Sequence, residues 1–127
     1  MKNIIQTKNA PAPLAGLYNQ GIKASGIFVY TAGQLGIAPD TGTLAEGLHA
    51  QTRQALENVK AIIEAAGSDM SKVVKVTILL DNINDFGVMN EIYKTFFPES
   101  PPARTAYEVA RLPLGALIEI EAVAVVD

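Results

Sequence analysis

Apolar residues recur at two different periods along this chain, and each change of period marks a new element. Between residues 46 and 66 they fall at three- and four-residue spacings, which is typical of one face of an amphipathic helix. The stripe consists of Leu48, Thr52, Ala55, Leu56, Val59, Ile62, Ile63 and Ala66. Gly67 follows directly, at the position where a left-handed C-terminal cap is expected. This pattern predicts a first helix that ends at Gly67.

A second helix is predicted over residues 85 to 97. Its apolar stripe consists of Phe86, Met89, Tyr93, Phe96 and Phe97. Asn84 is a suitable N-cap, because its side chain can accept a hydrogen bond from a free backbone N–H group. Pro98 ends the helix, since proline has no N–H group and cannot continue it.

Runs rich in β-branched residues surround the two helices. The stretch GIKASGIFVYTAGQLG predicts a hairpin that turns around Ser25 and Gly26, and KVVKVTILLD predicts a strand between the helices. Two further strands, ARTAYEVA and LIEIEAVAVV, close the chain. The order β-β-α-β-α-β-β predicts an α+β fold in which one mixed sheet carries both helices on one face. The opposite face of the sheet is then left without a cover from this chain.

The composition leads to the same question of what covers that face. Of the 127 residues 49% are hydrophobic and only 18% are charged, which is a low charge content for a small monomer. A well-filled core is one explanation. The alternative, which we favour, is that a second copy of the chain covers apolar surface. No linker or repeat divides the sequence, so residues 1–127 are predicted to form a single domain.

Charge and residue usage exclude several classes of function. The net charge is −3 and no cluster of Lys and Arg occurs, which argues against nucleic acid as a partner. Cysteine is absent, so no disulfide framework or thiol chemistry is expected, as suits a reducing cytoplasm. No uncharged apolar run reaches the ~20 residues of a membrane helix, and the first residues lack the apolar core of a signal peptide. We therefore expect a cytoplasmic protein without a membrane partner.

A metal site is not expected either. His49 is the only histidine, and it has no cysteine or second histidine at a ligand spacing. No phosphate-binding glycine motif is present.

The charged residues of the two closing strands are the clearest candidates for chemistry. Arg104 begins the first strand, while Glu119 and Glu121 lie within the apolar run of the second. Charged side chains are rarely buried without a partner or a function. On pattern alone, an ion pair between Arg104 and Glu119 on neighbouring strands is the simpler interpretation. The alternative is an arginine that grips a carboxylate through its planar fork, beside a glutamate that positions water.

Two further residues are candidates for lining a pocket. Asn90 is a polar residue within the apolar stripe of the second helix, and Tyr18 lies between proline-rich and glycine-rich segments. Each is also compatible with an ordinary structural role.

The C-terminal stretch PPARTAYEVARLPLGALIEIEAVAV closely resembles the signature of the reactive intermediate deaminase (Rid/YjgF) family. Further similarity is found in GLYNQG, TAGQLG, QTRQALENVKAIIEAAG and VVKVTILLDNINDF, so the resemblance covers essentially the whole chain. It implies a chorismate-mutase-like fold, assembled as a homotrimer whose sheets form a central barrel and whose sites lie between subunits. The implied activity is hydrolysis of 2-imino acids to 2-keto acids and ammonia, without a metal or an organic cofactor.

The resemblance also implies residue roles. Arg104 matches the arginine that binds the substrate carboxylate, and Glu119 matches the glutamate that, with a backbone carbonyl near Ala106, holds the attacking water. Gly33 matches a main-chain contact. Tyr18 and Asn90 match residues of the pocket.

This chain also departs from the family pattern. Ala32 and Ala106 stand where many members have serine and cysteine, and Leu17 replaces a common proline. The loss of polar side chains at Ala32 and Ala106 leaves open a trimer that binds carboxylates or regulates but hydrolyses little. A ribonuclease or RNA-binding role, suggested by some members, is disfavoured by the acidic charge balance.

Overall fold

The computed structural model describes residues 1–126, and Asp127, the last residue of the predicted domain, lies outside the described part. Strands and helices follow one another in the order β-β-β-β-α-β-α-β-β. They are β1 (Lys2–Ile5), β2 (Gly21–Ala24), β3 (Ile27–Tyr30), β4 (Gln34–Leu35), α1 (Leu48–Ala65), β5 (Val73–Leu80), α2 (Phe86–Phe96), β6 (Ala103–Glu108) and β7 (Ile118–Val126).

Five strands form one mixed sheet with β7 and β5 at its centre. The order across the sheet is β3, β7, β5, β6, and β4 pairs with the first part of β7. Helix α2 carries the chain from β5 to β6, and these two strands are parallel, whereas β7 is antiparallel to its neighbours. Strands β1 and β2 form a separate antiparallel pair. The predicted α+β fold with two helices and a mixed sheet is confirmed.

One face of the sheet packs against both helices, which contact each other and share one hydrophobic core with it. Alternate residues of β5 and β7 point into this core, as the two-residue period of a strand requires. The fully buried members with the largest side chains are Tyr93, Leu56, Ile63, Ile78, Leu80, Met89, Ile118, Ile120, Val59, Val73 and Val76. Burial of each aliphatic side chain of this size contributes about 1.5–3 kcal/mol to the free energy of folding.

The second face of the sheet carries exposed aromatic side chains. Tyr30 is 71% exposed, Tyr107 47% and Phe28 38%. Phe28 and Tyr30 pair with residues of β7 whose side chains point away from the helices. This second face is called the open face below. Its apolar surface agrees with the uncovered face that the element order predicts.

The predicted hairpin around Ser25 and Gly26 is wrong. Strand β2 pairs with β1, and β3 pairs with the end of β7, so the two predicted arms belong to different sheets. The reason is long-range packing, because pairing with β7 places Val29 against the core, which a local hairpin would not do. Strand β1 was not predicted, since its four residues carry no clear apolar alternation.

The helix boundaries differ from the predicted ones by one or two residues. Gly67 has the expected left-handed conformation after α1, with φ of 87°. Asn84 is not the N-cap of α2, a position that Asp85 takes without a capping hydrogen bond. A 3₁₀ turn (Ile83–Asp85) precedes the helix, and the Asn82 side chain accepts the N–H of Asn84 within it. This extra turn moves the cap out of its expected place.

Gly36 provides a test of how tightly β4 packs on α1. A Cβ atom at Gly36 would lie 2.5 Å from the Cα atom of Gln51, which belongs to the helix backbone and cannot rotate away. We expect Gly36→Ala to lower the free energy of unfolding by about 1–3 kcal/mol, as overpacking does. Chemical denaturation at one fixed protein concentration measures the change.

Gly87 in α2 is the matched control, because a Cβ atom there meets nothing within 4 Å. We expect Gly87→Ala to raise the free energy of unfolding by about 0.5–1 kcal/mol, since alanine restricts the unfolded chain. Equal stability of Gly36→Ala and the wild type would contradict the described packing.

Candidate active site

Arg104 is the second residue of the edge strand β6, and its side chain lies on the helix-covered side of the sheet. Its Cα partner across the parallel pair is Val76, a core residue, and paired residues share a face. Helix α2 runs over this position. It presents Phe86, Asn90 and Tyr93 at spacings of four and three residues, so the three side chains lie on one face of the helix.

These side chains surround the Arg104 guanidinium. Its Nη1 donates a hydrogen bond of 2.8 Å to the Asn90 Oδ1 atom. The Arg104 Cζ atom lies 4.8 Å from the centroid of the Tyr93 ring and 5.4 Å from that of Phe86. The Tyr18 ring is 5.5 Å away on a separate segment. The structure thus brings together three residues singled out in the sequence, Tyr18, Asn90 and Arg104. Together with Phe86 and Tyr93 they are called the Arg104 group.

The environment of Arg104 is apolar and contains no carboxylate. Burial lowers the pKa of the guanidinium, and the Tyr93 and Tyr18 phenols oppose this effect. Arginine remains charged at any physiological pH even so. Burial also raises the pKa of the Tyr93 phenol, which stays neutral. Within residues 1–126 Arg104 forms no ion pair, so its positive charge is stabilised without being neutralised.

Tyr18 is held beside Arg104 by its neighbour Asn19. The Asn19 backbone N–H donates to the carbonyl of Pro102, and the Asn19 Nδ2 donates to the carbonyl of Pro101 at 2.7 Å. These two prolines lead directly into β6. These two hydrogen bonds therefore hold the Tyr18 segment at the start of the strand that carries Arg104.

Glu119 lies in a different part of the molecule. It is the second residue of β7, with Leu79 of β5 and Leu35 of β4 as its Cα partners. Its neighbours in β7, Ile118 and Ile120, point into the core, so Glu119 points to the open face. The half-buried carboxylate makes no hydrogen bond or ion pair with any residue in the described range 1–126.

Gly33 lies directly against the Glu119 side chain. A Cβ atom at Gly33 would be 2.9 Å from the Glu119 Cδ atom and still closer to one carboxylate oxygen. Any other residue at position 33 would therefore displace the carboxylate. Ala32, its exposed neighbour, accepts a hydrogen bond from Gln34 Nε2 through its carbonyl. Gly33, Ala32 and Glu119 form a second group of predicted site residues, the Glu119 group.

The ion pair between Arg104 and Glu119 suggested by the pattern is wrong for a single chain. Strand β5 lies between β6 and β7, which separates the two backbones by about two strand spacings, roughly 10 Å. Their side chains also point to opposite faces of the sheet. The physical reason is the crossover through α2, which places β6 outside β5 while β7 pairs with the other side of β5.

Ala106 belongs to the Arg104 group rather than to the Glu119 group. It lies two residues beyond Arg104 on the same face of β6, and its methyl group packs against the core. Strand β5 separates it from Glu119 in the same way. The water-holding pair that the family resemblance implies, Glu119 with a carbonyl near Ala106, is thus not formed within one chain.

Other candidate residues lie apart from both groups. His49 is an exposed residue in the first turn of α1. Glu121 pairs with Thr77 and lines a small open-face cavity of about 170 Å³ with Tyr30 and Lys75. No three acidic or histidine side chains in the described part of the chain form a cluster that could hold a metal ion. Neither described helix is long and apolar enough to cross a bilayer.

Two residues of the Arg104 group were predicted only as members of an apolar stripe. Phe86 and Tyr93 follow the helical period, and that period alone assigns them to the core. The available signal was Asn90, which interrupts the same stripe between them. A polar side chain on the buried face of a helix indicates a polar partner on the facing strand, which here is Arg104.

Comparison with known proteins gives full-length matches. A family model, Endoribonuclease L-PSP, matches residues 7–126. A RutC family protein of Pyrococcus horikoshii is 55% identical over 98% of both chains. A 2-iminobutanoate/2-iminopropanoate deaminase of Salmonella typhimurium is 49% identical, again over 98% of both chains.

Among solved structures, that of Escherichia coli TdcF with bound serine superposes with a TM-score of 0.76. It is 41% identical and covers 97% of this chain and 98% of TdcF. The family model and these relatives span nearly the whole sequence, including both groups of site residues. The chain therefore belongs to the endoribonuclease L-PSP family, the Rid/YjgF family that its C-terminal motif predicts.

Proposed function

We propose that this protein hydrolyses small 2-imino acids, such as 2-iminobutanoate and 2-iminopropanoate, to 2-keto acids and ammonia. The observation that carries the proposal is the Arg104 guanidinium, which is charged, held by neutral groups and free of any carboxylate in residues 1–126. Relatives named for this activity match the chain over nearly its full length, as in Salmonella typhimurium.

Arg104 is suited to bind the carboxylate of such a substrate. A guanidinium has five N–H donors, and Asn90 takes one of them. The remaining donors can bind a carboxylate in the bidentate geometry that arginine favours. The related TdcF structure contains bound serine, a small amino acid that carries a carboxylate.

We further propose that one site combines two copies of the chain. Arg104 lies on the edge strand β6, whereas Gly33 and Glu119 lie near β4 at the other side of the sheet. A closed ring of copies brings one edge of each sheet to the opposite edge of the next, as head-to-tail assembly requires. The exposed aromatic residues of the open face, Phe28 and Tyr30, supply apolar surface for such contacts. The family resemblance favours three copies with a central barrel.

In the proposed mechanism the protein supplies orientation and a base. Arg104 binds the carboxylate and fixes the C=N carbon, and such positioning contributes several kcal/mol. Glu119 accepts a proton from water as the water oxygen bonds to that carbon. Glu119 then passes that proton to the imine nitrogen, which gives a carbinolamine. Transfer of the hydroxyl proton to the amino nitrogen, again through the Glu119 carboxylate, forms the carbonyl as the C–N bond breaks and ammonia leaves. The sum is imine plus water giving 2-keto acid plus ammonia, with no cofactor, and we assign the reaction to the cytoplasm.

A second candidate is a carboxylate-binding or regulatory trimer with little hydrolysis. Its support is that the Arg104 group is complete without Glu119, while Ala32 and Ala106 provide no polar side chain for catalysis. Nucleic acid is a weaker candidate, since 13 acidic residues outnumber 10 basic ones.

An imine-loss assay separates the two candidates. The imine is generated in place by a dehydratase, and its decay is followed with each variant. We expect the wild type to accelerate decay, and Arg104→Ala and Glu119→Gln to bring the rate within about two-fold of buffer, because each removes a required function. Equal rates for wild type and buffer would exclude the deaminase and leave the binding protein.

The chain offers a close control for each variant. Glu121→Gln makes the same change two residues along the same face of β7, and Arg53→Ala removes an exposed arginine on α1. Both are expected to retain the wild-type rate. If Glu121→Gln loses as much activity as Glu119→Gln, the loss follows from removing any negative charge on this face of β7, and Glu119 is not the catalytic base.

Gly33 gives a second prediction for the same site. In Gly33→Ala the new methyl group displaces the Glu119 carboxylate, a flexible group, so the fold should survive. We expect kcat to fall at least ten-fold, because proton transfer depends on exact placement of the base. Affinity for the product 2-oxobutanoate should stay within about two-fold of wild type, because Arg104 is untouched. The imine assay measures kcat, and calorimetry measures the affinity for 2-oxobutanoate. An unchanged kcat would contradict the role of Glu119.

A further inference from the structure

Arg104 is enclosed by aromatic rings rather than paired with an acid. Three rings, from Tyr18, Phe86 and Tyr93, lie within 4.8–5.5 Å of its Cζ atom. We infer that Phe86 and Tyr93 are positioning residues, which form an aromatic cage that stabilises the charge of Arg104 and orients its guanidinium for a ligand carboxylate. The inference rests on the proposed function only in taking Arg104 as the carboxylate clamp.

The chemistry of the cage explains why it suits a clamp. A buried arginine needs a compensating partner, and the usual one is a carboxylate. A carboxylate of the protein would occupy the same N–H donors that the ligand needs. An aromatic face attracts the cation through its quadrupole and takes none of those donors. The cage therefore stabilises the charge and leaves it available.

The arrangement also fixes the direction of the guanidinium. Phe86, Asn90 and Tyr93 share one face of α2, so a single rigid helix sets two ring faces and the one hydrogen bond. Asn90 accepts a hydrogen bond from Nη1, and this fixes which N–H groups of the planar guanidinium remain for a ligand. Tyr18 closes the cage from the segment clasped to Pro101 and Pro102. A preorganised donor set of this kind improves affinity by lowering the entropy lost on binding.

The Tyr93 hydroxyl is not part of this device. It is buried and makes no hydrogen bond with the described residues, so Tyr93 contributes its ring face to the cage. Tyr93→Phe keeps the ring face and should keep the function. Phe86→Leu removes a ring face and keeps an apolar side chain at a half-buried position, so the fold should tolerate it.

The test measures 2-oxobutanoate binding by calorimetry in intact variants. We expect Phe86→Leu to weaken binding by roughly 3- to 30-fold, the effect of losing one cation–π face. Tyr93→Phe should bind within about two-fold of wild type. The matched control is Phe96→Leu on the same helix α2. The ring of Phe96 lies 5.9 Å from Arg53 of α1 instead of Arg104, so its removal should leave binding unchanged.

Two further readouts separate positioning from a general structural effect. In the imine assay Phe86→Leu should raise KM with little change in kcat, because the cage acts on binding. NMR spectra give the rate at which the Arg104 Nε–H hydrogen exchanges with solvent. This rate should be higher in Phe86→Leu than in Phe96→Leu.

The inference is overturned if Phe86→Leu binds 2-oxobutanoate as the wild type does, or if wild-type binding does not depend on Arg104. It is also overturned if Phe96→Leu weakens binding equally. The proposed function fails separately, when the wild type binds 2-oxobutanoate but does not accelerate imine decay.

Discussion

Strand β5 separates Arg104 and Glu119, the two charged side chains of the proposed site. It pairs with β6 on one side and with β7 on the other, so it is the shared neighbour of the strands that carry Arg104 and Glu119. Side chains alternate across a strand, and the register fixes Arg104 on the helix-covered face and Glu119 on the open face. Neither side chain can cross the sheet. A site that uses both must therefore be built from more than one copy.

This constraint gives the two groups different physical characters. Arg104 lies in a partly desolvated cage of aromatic rings under α2, where its charge is stabilised by ring faces and by one amide oxygen. Glu119 lies against the backbone of Gly33, where the absence of a side chain makes room for its carboxylate. The first group is suited to binding and orienting an anion. The second is suited to holding a base close to a reacting atom.

Local pattern predicted a large part of this structure. The period of the apolar residues gave both helices within two residues, and the left-handed Gly67 followed from its place after the stripe. The two-residue period of a strand also places Arg104 and Ala106 together on one face of β6, and Glu119 on the face of β7 opposite to the core residues Ile118 and Ile120.

Strand partners were not predictable in the same way. The pairing of β3 with β7, and the position of β5 between β6 and β7, depend on contacts between residues far apart in sequence. A single-chain pattern contains no signal for them. The ion pair between Arg104 and Glu119 was wrong for this reason, because it assumed neighbouring strands. The cage was missed because ring faces that hold a cation follow the same helical period as ring faces that fill a core.

The most direct test of the two-copy site is complementation between two inactive variants. Arg104→Ala and Glu119→Gln are co-expressed with different tags, and oligomers that carry both tags are purified. If each site takes Arg104 from one copy and Glu119 from the next, a ring of three that carries both variants regains both residues at one of its three sites, which is about a third of all sites. We predict imine-hydrolysis activity near that fraction of wild type. Mixed oligomers as inactive as either parent variant would contradict the account.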